Sequence, residues 1–148
     1  MIRLAAVQTT DESHQQYLWQ LLGERKRSES ISHRKMPTYQ EHVMFVRHSP
    51  NEYEWWFIIE DEGFPVGAIY LTYRSEIGVQ IALKHRRKGY AREAIQRLIE
   101  MTSIIKNQDP FARTQYLANI NPDNGASIAL FTELGFQTVQ MTLRKELP

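Results

Sequence analysis

Between Glu76 and Ile105 one periodicity gives way to another. Glu76 to Leu83 reads as a strand, whereas Ala91, Ala94, Ile95, Leu98, Ile99 and Thr102 recur at helical spacing and form one buried stripe. The two patterns meet in Arg86-Arg87-Lys88-Gly89-Tyr90-Ala91. That joint constrains fold and chemistry together. A strand followed at once by an amphipathic helix calls for a layered arrangement of helix on sheet. The first turn of the helix has N–H groups without internal partners, at the positive end of the helix dipole, so it can receive phosphate. Gly89 lets the backbone turn sharply and lets a ligand approach without a Cβ in the way, and Arg86, Arg87 and Lys88 add full charges.

The rest of the chain fits around this joint. Ile2 to Val7 is a plausible first strand. Thr9 and Glu12 match a capping box that opens a helix running to about Leu22, and Thr38 and Glu41 match a second, whose helix should stop before Pro50. Gly23 to Lys35 is polar and basic and reads as loop or frayed helix. Tyr53 to Glu60 and Phe64 to Tyr73, joined by Asp61-Glu62-Gly63, read as an antiparallel hairpin. Asn107 to Pro110 ends the long helix. Tyr116 to Ile120 is expected as a short strand, Ser127 to Leu134 as a helix stopped at Gly135, and Phe136 to Glu146 as a closing strand. Antiparallel strands followed by a βαβ unit predict an α/β (α+β) fold: a central mixed sheet with helices on both faces.

Composition narrows the function. At 148 residues the expectation is one domain spanning residues 1–148. Lys and Arg number 18 against 17 Asp and Glu, which argues against a nucleic-acid surface. The absence of cysteine excludes disulfides, thiolate metal sites and a Cys nucleophile, and is compatible with a cytoplasmic setting. No apolar run approaches the ~20 residues that cross a bilayer, and Met1 to Ala6 does not read as a secretory signal. The five histidines are scattered without metal-ligand spacing, so no metal is expected. A Walker loop needs Gly-Lys-Ser/Thr after a longer glycine-rich loop, and a dinucleotide fold needs three glycines in its turn; neither is present.

Downstream, Asn119-Ile120-Asn121-Pro122-Asp123-Asn124-Gly125-Ala126-Ser127 runs from a strand into a helix that ends Phe131-Thr132-Glu133-Leu134-Gly135-Phe136. With Arg86-x-x-Gly89-x-Ala91 upstream, the chain from about Tyr53 onward resembles the GNAT superfamily of acyl-CoA-dependent N-acyltransferases. Glu76-Ile77-Gly78, Gly89-Tyr90-Ala91-x-Glu93-Ala94 and Asn124-x-x-Ser127 look most like the branch that contains the ribosomal-protein N-terminal acetyltransferases.

The resemblance implies acetyl-CoA as cosubstrate, with its pyrophosphate on the amides from Arg87 to Ala91 and Arg86 beside them. It implies two parallel strands, Glu76 to Leu83 and Tyr116 to Ile120, splayed to admit the pantetheine arm. A bulge near Gln80 to Leu83 would aim an N–H of Ile81, Ala82 or Leu83 at the thioester oxygen. Asn119 and Asn124 would hold the arm from the other side, although Asn124 also reads as a simple helix cap. Glu76 matches the position of a general base, able to take a proton directly or through water. Phe131 stands where the family commonly has an acid tyrosine and has no proton to give, so Ser127 is the substitute. The acceptor is expected to be a primary amine on a small molecule such as an amino sugar; the basic stretch from Arg25 to Lys35 reads either as a plain surface loop or as an element that attracts an acidic acceptor such as a nucleotide-linked amino sugar. A protein N-terminus and a non-catalytic acyl-CoA sensor are the alternatives. Partnership with nucleic acid or membrane is not expected, and a homodimer is the oligomeric option.

Overall fold

The computed structural model describes residues 1–26, 29, 35–48, 52–106 and 113–148. The elements are β1 (Ile2–Ala6), α1 (Glu12–Gly23), α2 (Tyr39–His48), β2 (Tyr53–Asp61), β3 (Phe64–Thr72), β4 (Ile77–Ile81), a single 3-10 turn at Leu83–His85, α3 (Tyr90–Lys106) and α4 (Gly125–Glu133). The four strands form one antiparallel sheet in the order β1-β2-β3-β4. The hairpin between β2 and β3 turns on Glu62 and Gly63, with φ of 50° and 83°. Two consecutive left-handed residues match the twist of the flanking strands, which is why this short turn closes a long hairpin.

Strand alternation gives the sheet two different faces. Phe57, Ile59, Ile69, Leu71, Ile77 and Ile81 pack with Ala94, Ile95 and Leu98 of α3 and with Phe131 of α4 in one core cluster. The helical stripe read from the sequence is thus the buried face of α3, and Ile95 and Leu98 each contribute about 1.5–3 kcal/mol by leaving water. Trp56 and Tyr70, cross-strand partners, lie on the opposite face with α2, where the Phe45 ring meets Trp56 edge-on at 6.3 Å.

Several boundaries differ from expectation. Asp11, not Thr9, caps α1: its carboxylate accepts from Ser13 N at 2.8 Å and His14 N at 3.4 Å. A carboxylate is a stronger acceptor than a hydroxyl and sits directly before the helix. Thr38 does cap α2, its hydroxyl accepting from Glu41 N at 3.2 Å. Residues 116–120 do not form a ladder strand; they meet the sheet at one parallel bridge, Glu76↔Leu117. The closing strand is also missing, and residues 136–148 carry no ladder pairing. Val139, Met141 and Leu143 alternate as strand residues do, yet stay 78–87% exposed and pair with no strand of the sheet. The expected end of the long helix at Asn107 to Pro110, and most of the Gly23 to Lys35 loop, lie outside the described residues.

Candidate active site

The parallel bridge between Glu76 and Leu117 creates the candidate site. Ile77 N donates to Leu117 O at 2.8 Å, and Leu117 N donates to Ser75 O at 2.8 Å. Among the described residues the strand pairing does not continue beyond that point, so 78–81 and 118–121 part like the arms of a V. On its other side β4 keeps an unbroken register with β3, from Leu71↔Ile77 to Gly67↔Ile81. Thr72 N donates to Glu76 O and Ala82 N to Val66 O, each at 2.9 Å. Alternation in an antiparallel ladder therefore turns the N–H groups of Val79 and Ile81 into the gap. The bulge expected near Gln80 to Leu83 is absent, because the register continues through Ala82 and no extra residue is present to raise one.

The gap holds a cavity of about 100 Å³, reached by Arg25, Glu29, Tyr70, Glu76, Asn124 and Ser127 among others. A larger hollow of about 410 Å³ lies along β1. It is the more open of the two and flanks β1, whereas the smaller cavity lies in the gap itself and is lined by both of its arms and by α4.

Glu76 stands at the apex of the V. The Thr72 hydroxyl accepts from Glu76 N at 3.1 Å and fixes the turn into β4. Asn119 Nδ2 donates to Glu76 Oε2 at 2.5 Å from the opposite arm. The Asn119 amide is thus directed at the carboxylate, and the residue also lines the cavity. Asn124 caps α4, accepting from Ser127 N at 3.2 Å, and lines the cavity as well. Phe131 is 4% exposed and meets Phe136 edge-on at 5.0 Å, which makes it a packing residue.

At the far end of β4 the chain enters the basic loop. Arg87 and Gly89 both take left-handed φ, 63° and 83°. The first α3 bond runs from Glu93 N to Gly89 O at 3.1 Å. Among the described residues nothing accepts from the amides of Arg87, Lys88, Gly89, Tyr90, Ala91 or Arg92. Open space surrounds the point where a Gly89 Cβ would stand. Arg87 and Lys88 are exposed and form no ion pair with a described residue. Unpaired amides at a helix start beside free cations suit a phosphate group.

The remaining sequence candidates have other work. Arg86 is clamped by Glu29, at 3.2 and 3.0 Å, and donates from Nε to Ile81 O at 3.1 Å. Leu83 N donates to Glu24 Oε2 at 3.0 Å, and Ala82 N is committed to Val66. The Gln80 side-chain amide donates to Leu21 O. These contacts tie the end of β4 to the last turn of α1 and the chain after it. They were hidden in the sequence because the partners lie 57 to 59 residues apart. Tyr90 donates to Asp61 Oδ2 at 2.7 Å, and that bond is the main cause holding its phenol above the ordinary tyrosine range.

Sequence reasoning missed Tyr70. Burial is the main cause that raises its phenol above the ordinary range; Arg25 opposes the rise, and Glu76 and Glu52 add to it. Tyr53, stacked on Tyr70 at 4.3 Å, is raised chiefly by burial too. Both rings therefore present neutral hydroxyls at physiological pH.

A sheet that splits at one edge, with an unfilled helix start at the end of the split, suits an extended arm that ends in phosphate. The sequence matches the acetyltransferase (GNAT) domain family over residues 3–137, and the chain belongs to that family. It is a GNAT N-acetyltransferase, and acyl-CoA is the donor its family uses. No curated protein is matched in sequence. Solved structures share the fold. A mutant of the spermidine N-acetyltransferase SpeG from Vibrio cholerae superposes with a TM-score of 0.71 at 21% identity, over 94% of this chain and 81% of that one. A domain from Methanocaldococcus jannaschii gives 0.77 at 17% identity, over 96% and 92%. An acetyltransferase from Thermus thermophilus gives 0.69 at 18%, over 95% and 89%. Among the described residues no helix is long and apolar enough to cross a membrane.

Proposed function

We propose that the protein transfers the acetyl group of acetyl-CoA to the primary amine of a small acceptor that also carries an anionic group, with amino-sugar phosphates as the class. The observation that carries this reading is the V between β4 and 118–121, with Glu76 at its apex and unpaired amides at its far end. The free amides from Arg87 to Arg92, with Arg87 and Lys88, would hold the diphosphate. The inward N–H groups of Val79 and Ile81 would pair with the arm, and Asn124 would flank it. Bound there, acetyl-CoA supplies an activated acetyl thioester. Glu76 takes the proton the ammonium must lose before its nitrogen can attack, and Asn119 holds the carboxylate in place. Ser127, half-buried on the cavity wall, is the hydroxyl available as a donor opposite Glu76.

The charge of the cavity supports the acceptor class. Glu29 is neutralised by a two-point contact with Arg86. Arg25 lines the cavity, forms no ion pair with a described residue and acts on both buried phenols. Among the described residues Arg25 is thus an unpaired cation on a wall whose other free charge is Glu76, and it favours an acceptor that carries an anionic substituent beside its amine over a polycation.

The test has two stages. Calorimetry should show acetyl-CoA binding; no binding would end the reading. Thiol release should then follow with glucosamine 6-phosphate, and spermidine and a peptide N-terminus should be slower. A clear preference for spermidine or for the peptide would overturn the acceptor class. The absence of cysteine removes the background from a thiol-reactive dye.

A further inference from the structure

Tyr70 and Gly78 are direct cross-strand partners on β3 and β4. A Cβ placed on Gly78 would overlap the Tyr70 ring, its hydroxyl included. The ring therefore lies flat across the backbone of β4, and only a glycine permits it. The far side of that backbone is the gap, and Tyr70 lines the cavity there together with Glu76 and Ser127. Three observations separate this tyrosine from an ordinary core aromatic. Its ring is clamped, stacked on Tyr53 at 4.3 Å with 11° between planes, while Tyr53 meets Trp56 edge-on at 4.9 Å. Its hydroxyl makes no hydrogen bond to another described residue and is not sealed from solvent. Glu76, beside it on the cavity wall, is close enough to act on it electrostatically.

We infer that Tyr70 is an acceptor-positioning residue: its phenol oxygen accepts one N–H of the incoming ammonium while the Glu76 carboxylate accepts another, and Gly78 exists to let the ring reach that place. This rests on the acceptor reading above and deepens it. A rigid aromatic hydroxyl is suited to the task, because little side-chain entropy is lost when it fixes an amine. The phenol stays protonated throughout; it orients the nitrogen and does not take the proton.

The test uses the full chain with Tyr70→Phe as the conservative variant. With glucosamine 6-phosphate, KM should rise about tenfold, the size expected for losing one hydrogen bond to a charged group, while kcat changes much less and the acetyl-CoA Kd stays the same. Gly78→Ala should raise KM in the same direction, and should add little when combined with Tyr70→Phe. A ligand-free signature accompanies this. In protein labelled with 13C at tyrosine Cζ, the resonance lost in Tyr70→Phe should shift in Glu76→Gln. An unchanged KM in Tyr70→Phe overturns the inference. If acetyl-CoA binds but the sugar phosphate is not acetylated, the acceptor class fails instead. The resonance then decides alone: a Tyr70 signal that ignores Glu76→Gln overturns the pairing, and one that follows it upholds it.

Discussion

α1 and α3 both begin with amides that have no partner inside the helix, and the chain treats the two ends in opposite ways. At α1 the Asp11 carboxylate fills the vacancy, accepting from Ser13 N and His14 N and from the Ser13 hydroxyl at 2.6 Å. At α3 no side chain among the described residues does so; Arg87 and Gly89 are left-handed, and a row of amides faces outward. Both starts are exposed, so solvent access does not explain the difference. The α1 cap is local, made by residues two and three positions apart. The α3 start instead lies at the end of a split in the sheet, where a capping carboxylate would repel an anion. One end is completed by its own sequence. The other, in the proposed reading, is completed by substrate.

Substitutions can break that contrast, and the largest effect is expected at the apex of the split. Glu76→Gln should lower kcat by about 100-fold or more, the range for loss of a general base, and leave acetyl-CoA affinity unchanged in calorimetry. Next comes Gly89→Val. A left-handed L residue costs about 1–2 kcal/mol, and relief of that strain turns the neighbouring amides. The acetyl-CoA Kd should rise about tenfold, while far-ultraviolet circular dichroism shows the fold intact, since a side chain there meets open space.

Asn124→Ala should cost about 1 kcal/mol in urea denaturation, as loss of an N-cap does. It should also weaken acetyl-CoA binding, because Asn124 lines the cavity as well as capping α4. Asp11→Asn is the smallest and the most diagnostic. The hydrogen bond from Ser13 is the main cause that holds the Asp11 carboxyl below its ordinary range. A depressed folded pKa gives stability that is present above the unfolded value and is lost as pH falls through the folded one. Acid melting curves should therefore show a slightly shallower loss in Asp11→Asn below the usual aspartate range, with acetyl-CoA affinity untouched at neutral pH.

What the sequence disclosed follows the range of the interactions. The hairpin at Glu62 and Gly63 and the buried stripe of α3 rest on neighbours within a few residues, so turn chemistry and periodicity expose them. Val139, Met141 and Leu143 alternate as a strand should, but alternation reports how a segment could pair, not whether it does. Arg86 looked like a phosphate ligand because its partner Glu29 lies 57 positions away. Tyr70 could not be singled out at all: its place over Gly78 depends on the register of two strands, which nothing local encodes. That Glu76, Asn124 and Ser127 share one cavity wall and that Gly89 turns the chain was legible because a motif pattern spanning several segments carries them.

The most direct measurement is a titration of 15N-labelled protein with acetyl-CoA, followed by amide resonances. The signals of Lys88, Gly89, Tyr90 and Ala91 should move downfield as diphosphate oxygens accept their N–H groups, while those of Ser13 and His14, already satisfied by Asp11, should stay in place. Saturable binding that leaves residues 88–91 unmoved would contradict the claim that the open start of α3 holds the cofactor.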